Sequence, residues 1–80
     1  MKAYRFTRSS RRHRIGRASV RHVIEHTEPV VGISELTGAR TYTWIGPDER
    51  NRELEVVGID RPDCVLIVHV MPSRYRNRRN

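Results

Sequence analysis

Cysteine occurs once in these 80 residues, at Cys64, so no intrachain disulfide can form. That scarcity fits a reducing compartment, and a lone cysteine inside an apolar run is expected to pack as a small buried hydrophobe. No apolar stretch reaches the roughly 20 residues that cross a bilayer, and the N-terminus lacks the apolar core of a secretory signal. A cytoplasmic protein with no membrane partner is the expectation. A glycine-rich phosphate loop is also missing, since Gly46 and Gly58 stand in turn or strand contexts, and no cofactor is expected.

The most informative absence is that of acids from the N-terminal quarter. Between Met1 and His22 there are eight basic residues and no acid, whereas Glu25 to Asp63 holds all nine acids and four arginines. Sixteen Lys and Arg against nine Asp and Glu leave a net charge of +7, and Lys2 is the only lysine. Arginine presents a planar fork that grips phosphate oxygens in pairs and stacks on bases, which a point charge cannot do. A solubilising surface interleaves both signs. Segregated positive charge points instead to a polyanion, and RNA is the expected partner.

A chain of this length makes one domain, with room for one helix on one small sheet. Residues 1–14 read as a basic arm or a short first strand, the stretch Ala3 to Thr7 alternating Tyr4 and Phe6 with smaller or polar residues. A helix is predicted from Arg17 to about His26, where Ala18, Val20, Val23, Ile24 and Thr27 recur at three- and four-residue steps. Pro29 ends it, because the residue before a proline is pushed away from helical angles. Val30 to Ile33 is a short extended piece, followed by a turn at Thr37-Gly38.

Strands are predicted over Thr41 to Ile45, Arg52 to Ile59 and Cys64 to Met71, with turn residues Gly46-Pro47-Asp48 and Asp60-Arg61-Pro62-Asp63 between them. The last strand is nearly all apolar and so reads as central and covered on both faces. The expected fold class is α+β: one N-terminal helix packed on a small antiparallel meander of three or four strands. It occupies residues 15–72 and is followed by a basic tail, residues 73–80.

Several patterns could carry chemistry. His22-Val23-Ile24-Glu25-His26 matches H-x-x-E-H, but two imidazoles on one helix flank need a third ligand and a cleft, and no metal is assigned. No serine has the context of a nucleophile. Glu53 and Glu55 share a strand face and are expected on a solvent-facing edge. Strict alternation along the last strand puts His69 on the face of Val65, Ile67 and Met71, near the strand end.

Scission of RNA through its 2′-hydroxyl needs a base, a proton donor and cations around the phosphate, none of them metallic. Arg52, His69, Arg74 and Tyr75 form a sufficient catalytic set, with His13, Arg40, Arg50 and Arg76 supporting RNA binding. Tyr42, Trp44 and Tyr75 are candidates for stacking on bases, Trp44 having a core position as its alternative. A basic module that binds nucleic acid without cutting it satisfies the same charge pattern.

Four short stretches add up to a resemblance. His13-Arg14-Ile15 leading into the helix, Arg40 followed by Thr43-Trp44-Ile45-Gly46, Arg52-Glu53-Leu54-Glu55-Val56-Val57, and Pro72-Ser73-Arg74-Tyr75-Arg76 together resemble the BrnT group of the RelE/ParE toxin superfamily. Met71 stands where that group usually carries an arginine. The resemblance implies a RelE-like fold and a toxin that cuts RNA, free or as ribosome-bound message, and so inhibits translation. It also implies neutralisation by a cognate DNA-binding antitoxin. Self-association is left open.

Overall fold

The computed structural model describes residues 3–74; the predicted site residues Tyr75 and Arg76 lie outside them. The chain forms β1 (Ala3–Phe6), a 3-10 turn (Ser9–Arg11), α1 (Arg17–His26), β2 (Val30–Ile33), β3 (Arg40–Pro47), β4 (Glu53–Asp60) and β5 (Cys64–Pro72). The five strands make one sheet in the order β1-β5-β4-β3-β2. The class is α+β, with two more strands than the minimal meander. From β2 to β5 every pairing is antiparallel, and β1 closes the far edge parallel to β5.

α1 begins without a capping side chain at Gly16 and carries no acid in its first turn. Its stability therefore comes from packing. Val20 and Val23 are fully buried against β3 and β4, and Ile24 packs at the margin. The buried stripe differs from the expected one at a single point. Ala18 is exposed and Ser19 is buried, its hydroxyl donating to Glu49 Oε2 at 3.0 Å in the β3–β4 turn. At the other end Thr27 is already extended, one residue ahead of Glu28, which Pro29 keeps from helical angles.

The helix side of the sheet carries the core: Trp44 from β3, Leu54 and Val56 from β4, and Val65, Ile67 and Val70 from β5. Tyr4, Phe6 and Tyr42 seal its margins, and the Arg17 guanidinium sits over the Phe6 ring at 5.3 Å, tying β1 to the start of α1. Cys64 is buried, as its apolar surroundings suggest. β5 is central but covered on one face only. Leu66, Val68 and Met71 remain half-exposed, because a single helix cannot blanket both sides of a sheet.

One irregularity governs the site. The β4–β5 register steps from Val57 opposite His69 to Gly58 opposite Ile67, leaving Val68 as an extra residue. Such a bulge breaks the two-residue period and changes which face the following side chains occupy. Core residues on β5 accordingly run Val65, Ile67 and then Val70. His69 is thereby moved to the face opposite Val65 and Ile67, correcting the strict alternation expected from sequence. Glu53 and Glu55 are also displaced from their expected place, since β4 is the middle strand and not an edge.

Candidate functional site

Asp48 organises the β3–β4 turn. It is 3 % exposed, yet its Oδ1 accepts the backbone N–H groups of Arg50 and Arg52 at 2.9 and 2.8 Å. Its Oδ2 accepts Arg52 Nε at 2.8 Å. Asn51 takes the left-handed conformation that closes the turn, φ 63°, which asparagine tolerates well. Burial pushes the Asp48 carboxyl up, but the N–H bonds from Arg52 and Arg50 and the guanidinium charge override it, holding the group below its ordinary value of 3.8.

A depressed folded-state pKa stabilises the fold fully above the unfolded value and stops doing so as pH falls through the folded one. Acid unfolding of the wild type should therefore show a limb below the ordinary carboxylate range. In Asp48→Asn that limb should shrink, with the two proteins differing most near neutrality. Urea midpoints measured from pH 7 down to pH 2 check this.

The Asp48 contact holds Arg52 by one side of its guanidinium, and the Arg52 side chain remains 44 % exposed. Beside it an open cleft of about 340 Å³ is lined by Arg52, Glu53, Pro72, Ser73 and Arg74. Ser73 is buried and donates its hydroxyl to Glu53 Oε1, tying the end of β5 to the start of β4. Two of the predicted catalytic arginines are thus brought together by the ends of two paired strands. Arg50 is exposed on the adjoining turn.

His69 stands further along β5. Its Nε2 lies 3.3 Å from Glu55 Oε1, with side-chain exposures of 41 % and 15 %. A neutral imidazole that donates from Nε2 to this carboxylate keeps Nδ1 as a proton acceptor. Four residues separate His69 from Ser73, roughly 13 Å of extended strand, so the Arg52–Arg74 cleft and the His69–Glu55 pair are neighbouring subsites and not one cluster.

The N-terminal arm docks on β5 beside the His69 backbone. Thr7 donates both its backbone N–H and its hydroxyl to Ile67 O, at 3.0 and 3.2 Å, and Ser9 Oγ donates to Val68 O at 3.2 Å. The bulge thus leaves a carbonyl that the arm occupies, and the arm meets the sheet one residue from His69. Ser10 is buried, its hydroxyl bonded to Thr7 O at 2.6 Å, which locks the 3-10 turn in place. Arg8, Arg11 and Arg12 on this segment are exposed, and His13 follows them.

Sequence reasoning missed Glu55 as the partner of His69, and the docking on β5 of the segment that carries Arg8, Arg11 and Arg12. The acid-free run flagged the arginines but could not place them. Arg40 lies apart from both subsites. It starts β3 opposite Ile33, at the sheet end where Thr41 meets Ile59, while the cleft sits where Pro47 meets Glu53, roughly 20 Å along the strands.

Trp44 is buried in the core, which leaves it no face for a base, and the half-buried Tyr42 packs beside it at 5.7 Å between ring centroids. His22 and His26 stack at 4.2 Å, with His26 Nδ1 2.8 Å from His22 O. Among the described residues, no three His, Cys, Asp or Glu side chains gather as a metal-ligand set. Nor does any helix among them have the length and apolar character to cross a membrane.

No family model matches the chain, and no curated protein and no solved structure is significantly similar to it.

Proposed function

We propose that this domain binds RNA and cleaves it without metal, by attack of the ribose 2′-hydroxyl on the adjacent phosphate. The observation that carries this reading is the His69–Glu55 pair at 3.3 Å, one residue along β5 from the Val68 carbonyl that Ser9 of the arginine-bearing arm holds. His69 Nδ1 removes the 2′-hydroxyl proton, and the resulting oxygen attacks phosphorus. A bond from O2′ to phosphorus forms while the bond from phosphorus to O5′ breaks. The departing O5′ takes a proton from the imidazolium, leaving a 2′,3′-cyclic phosphate and a 5′-hydroxyl. Arg8, Arg11 and Arg12 supply positive charge to the phosphate as it crowds, and Arg52, Arg74 and Arg50 hold the strand further along.

The resemblance to BrnT-like toxins makes message RNA, free or on the ribosome, the substrate and a DNA-binding antitoxin the neutralising partner. On that reading the protein inhibits translation in the cytoplasm. The second reading, a basic module that binds nucleic acid without cutting it, is favoured by the inward turn of Tyr42 and Trp44.

Both are tested with purified protein and single-stranded RNA in the presence of a chelator. Cleavage should yield products ending in cyclic phosphate. Replacing Arg8, Arg11 and Arg12 together by alanine should flatten the dependence of binding on salt by about 2 in log–log slope, at about 0.7 per phosphate contact. Salt-sensitive binding without products selects the second reading. Failure to bind RNA at low salt sinks both.

A further inference from the structure

All the large apolar residues that stand exposed among the described ones lie on β2 and the turn after it: Val30 is 72 % exposed, Val31 55 %, Ile33 66 % and Leu36 96 %. β2 ends the sheet opposite β1, so one side of its backbone pairs with no described strand. Natural edge strands are protected by lysine, proline, an inward charge or a bulge. None of these lies within Val30–Ile33, and its register against β3 is unbroken.

The geometry points to a second copy of this chain as the occupant of that edge. Ser34 N–H bonds to Ala39 O at 2.8 Å, which marks Ser34–Ala39 as a bonded pair of the β2–β3 ladder. Antiparallel ladders alternate bonded and unbonded pairs. Gly32 and Val30 therefore bond inward to β3, and Val31 and Ile33 direct their N–H and C=O groups outward.

Those outward groups stand two residues apart, symmetric about Gly32. An antiparallel copy related by a twofold axis through Gly32 places Val31 opposite Ile33 of the second copy, and Ile33 opposite its Val31. All four donors and four acceptors are then satisfied by four bonds. A register shifted by one pair sets Ile33 against Pro29, which has no N–H to give, and the opposite shift sets Val31 against Glu35, which has already left the strand for the turn. In the favoured register Glu28 meets Leu36 and Glu35 meets Pro29, so no like charges face each other directly. The self-complementarity is what favours a copy over a foreign strand.

Charge distribution agrees. The basic arms ride on the β1 edge, so joining through β2 sets the β1 strands of two +7 chains roughly 40 Å apart across a ten-stranded sheet. The His69 sites face outward on the two wings and stay accessible. A single short strand pair buries less than the roughly 800 Å² per partner of a standard interface, so dissociation on the order of micromolar is expected.

Sedimentation equilibrium should show a species of twice 9.4 kDa at about 100 µM, dissociating on dilution. Val31→Lys with Ile33→Lys, both exposed and so tolerated by the fold, should weaken association at least tenfold. Gly32→Cys should cross-link under mild oxidation, because unbonded antiparallel pairs bring Cα atoms to about 4.5 Å, within disulfide reach. The added Cβ needs only a small shift of the Thr41 hydroxyl, 3.1 Å away. Val30→Cys, whose counterpart lies about four residues out of register, should not cross-link. A monomer at every concentration, a dimer indifferent to the two lysines, or equal cross-linking at Val30 would each overturn the proposal.

Discussion

Replacing His69 by alanine should lower RNA cleavage by about 10²–10⁴-fold, the usual range for a general acid–base group, with RNA affinity nearly unchanged. The expectation rests on geometry: an imidazole 41 % exposed, held at 3.3 Å by a carboxylate, on the sheet face not covered by the helix. Glu55→Gln should cost less than His69→Ala, since the amide still accepts from Nε2 but no longer stabilises the imidazolium. Glu55→Ala in the His69→Ala background should add nothing further if Glu55 acts through His69. Single-turnover rates at saturating protein, measured beside binding, separate these effects from lost affinity. Full activity in His69→Ala would remove the base from the proposed mechanism, and independent losses in the double variant would remove the pairing. Arg74→Ala, by contrast, should act chiefly on affinity, because its subsite stands roughly 13 Å along β5 from the reacting phosphate.

The largest loss of stability is expected for Leu54→Ala, at about 2–5 kcal/mol. Leu54 is fully buried on the middle strand, set between Gly46 of β3 and Pro72 of β5. Close packing leaves little room for the site to collapse. Gly46, opposite Leu54 on β3, and Gly58, four residues along β4, both sit in tightly filled surroundings. A Cβ on Gly46 would collide with Thr27 Oγ1, and one on Gly58 would meet Val65 Cγ1 at 2.9 Å. A domain of this length has roughly 4–12 kcal/mol in total, so the loss is a large share of it. The urea midpoint should fall sharply at unchanged slope, and Tm by roughly 10–25 °C. Val57→Ala, half-exposed on the other face of the same strand, is the control and should cost far less. Equal losses at the two positions would mean that the open face is buried after all.

Local signals were readable without coordinates wherever a short stretch decided the outcome. α1 ends at His26, just ahead of the Glu28-Pro29 step that bars helical angles, and its body follows the 3.6-residue recurrence of Val20, Val23 and Ile24. β3, β4 and β5 lie where β-branched runs stand between proline, glycine and aspartate turns. The Arg52–Arg74 cleft was anticipated in residue type because Arg52 follows one turn and Arg74 follows the last strand. Less legible was Asp48, which looked like turn chemistry and proved to be the group that aims Arg52.

What the sequence determined by itself was the α+β class, the helix, the three central strands and the segregation of charge. Tertiary structure alone decided how they meet. β1 joins β5 across sixty residues, through bonds such as Thr7 to Ile67, and no local pattern encodes so distant a parallel pairing. The extra residue at Val68 reverses the face of His69 and leaves a carbonyl for Ser9, which docks the arginine-bearing arm on β5. Alternation is a property of a single strand, whereas register is settled between strands by packing, and so the face of His69 could be known only from the folded sheet.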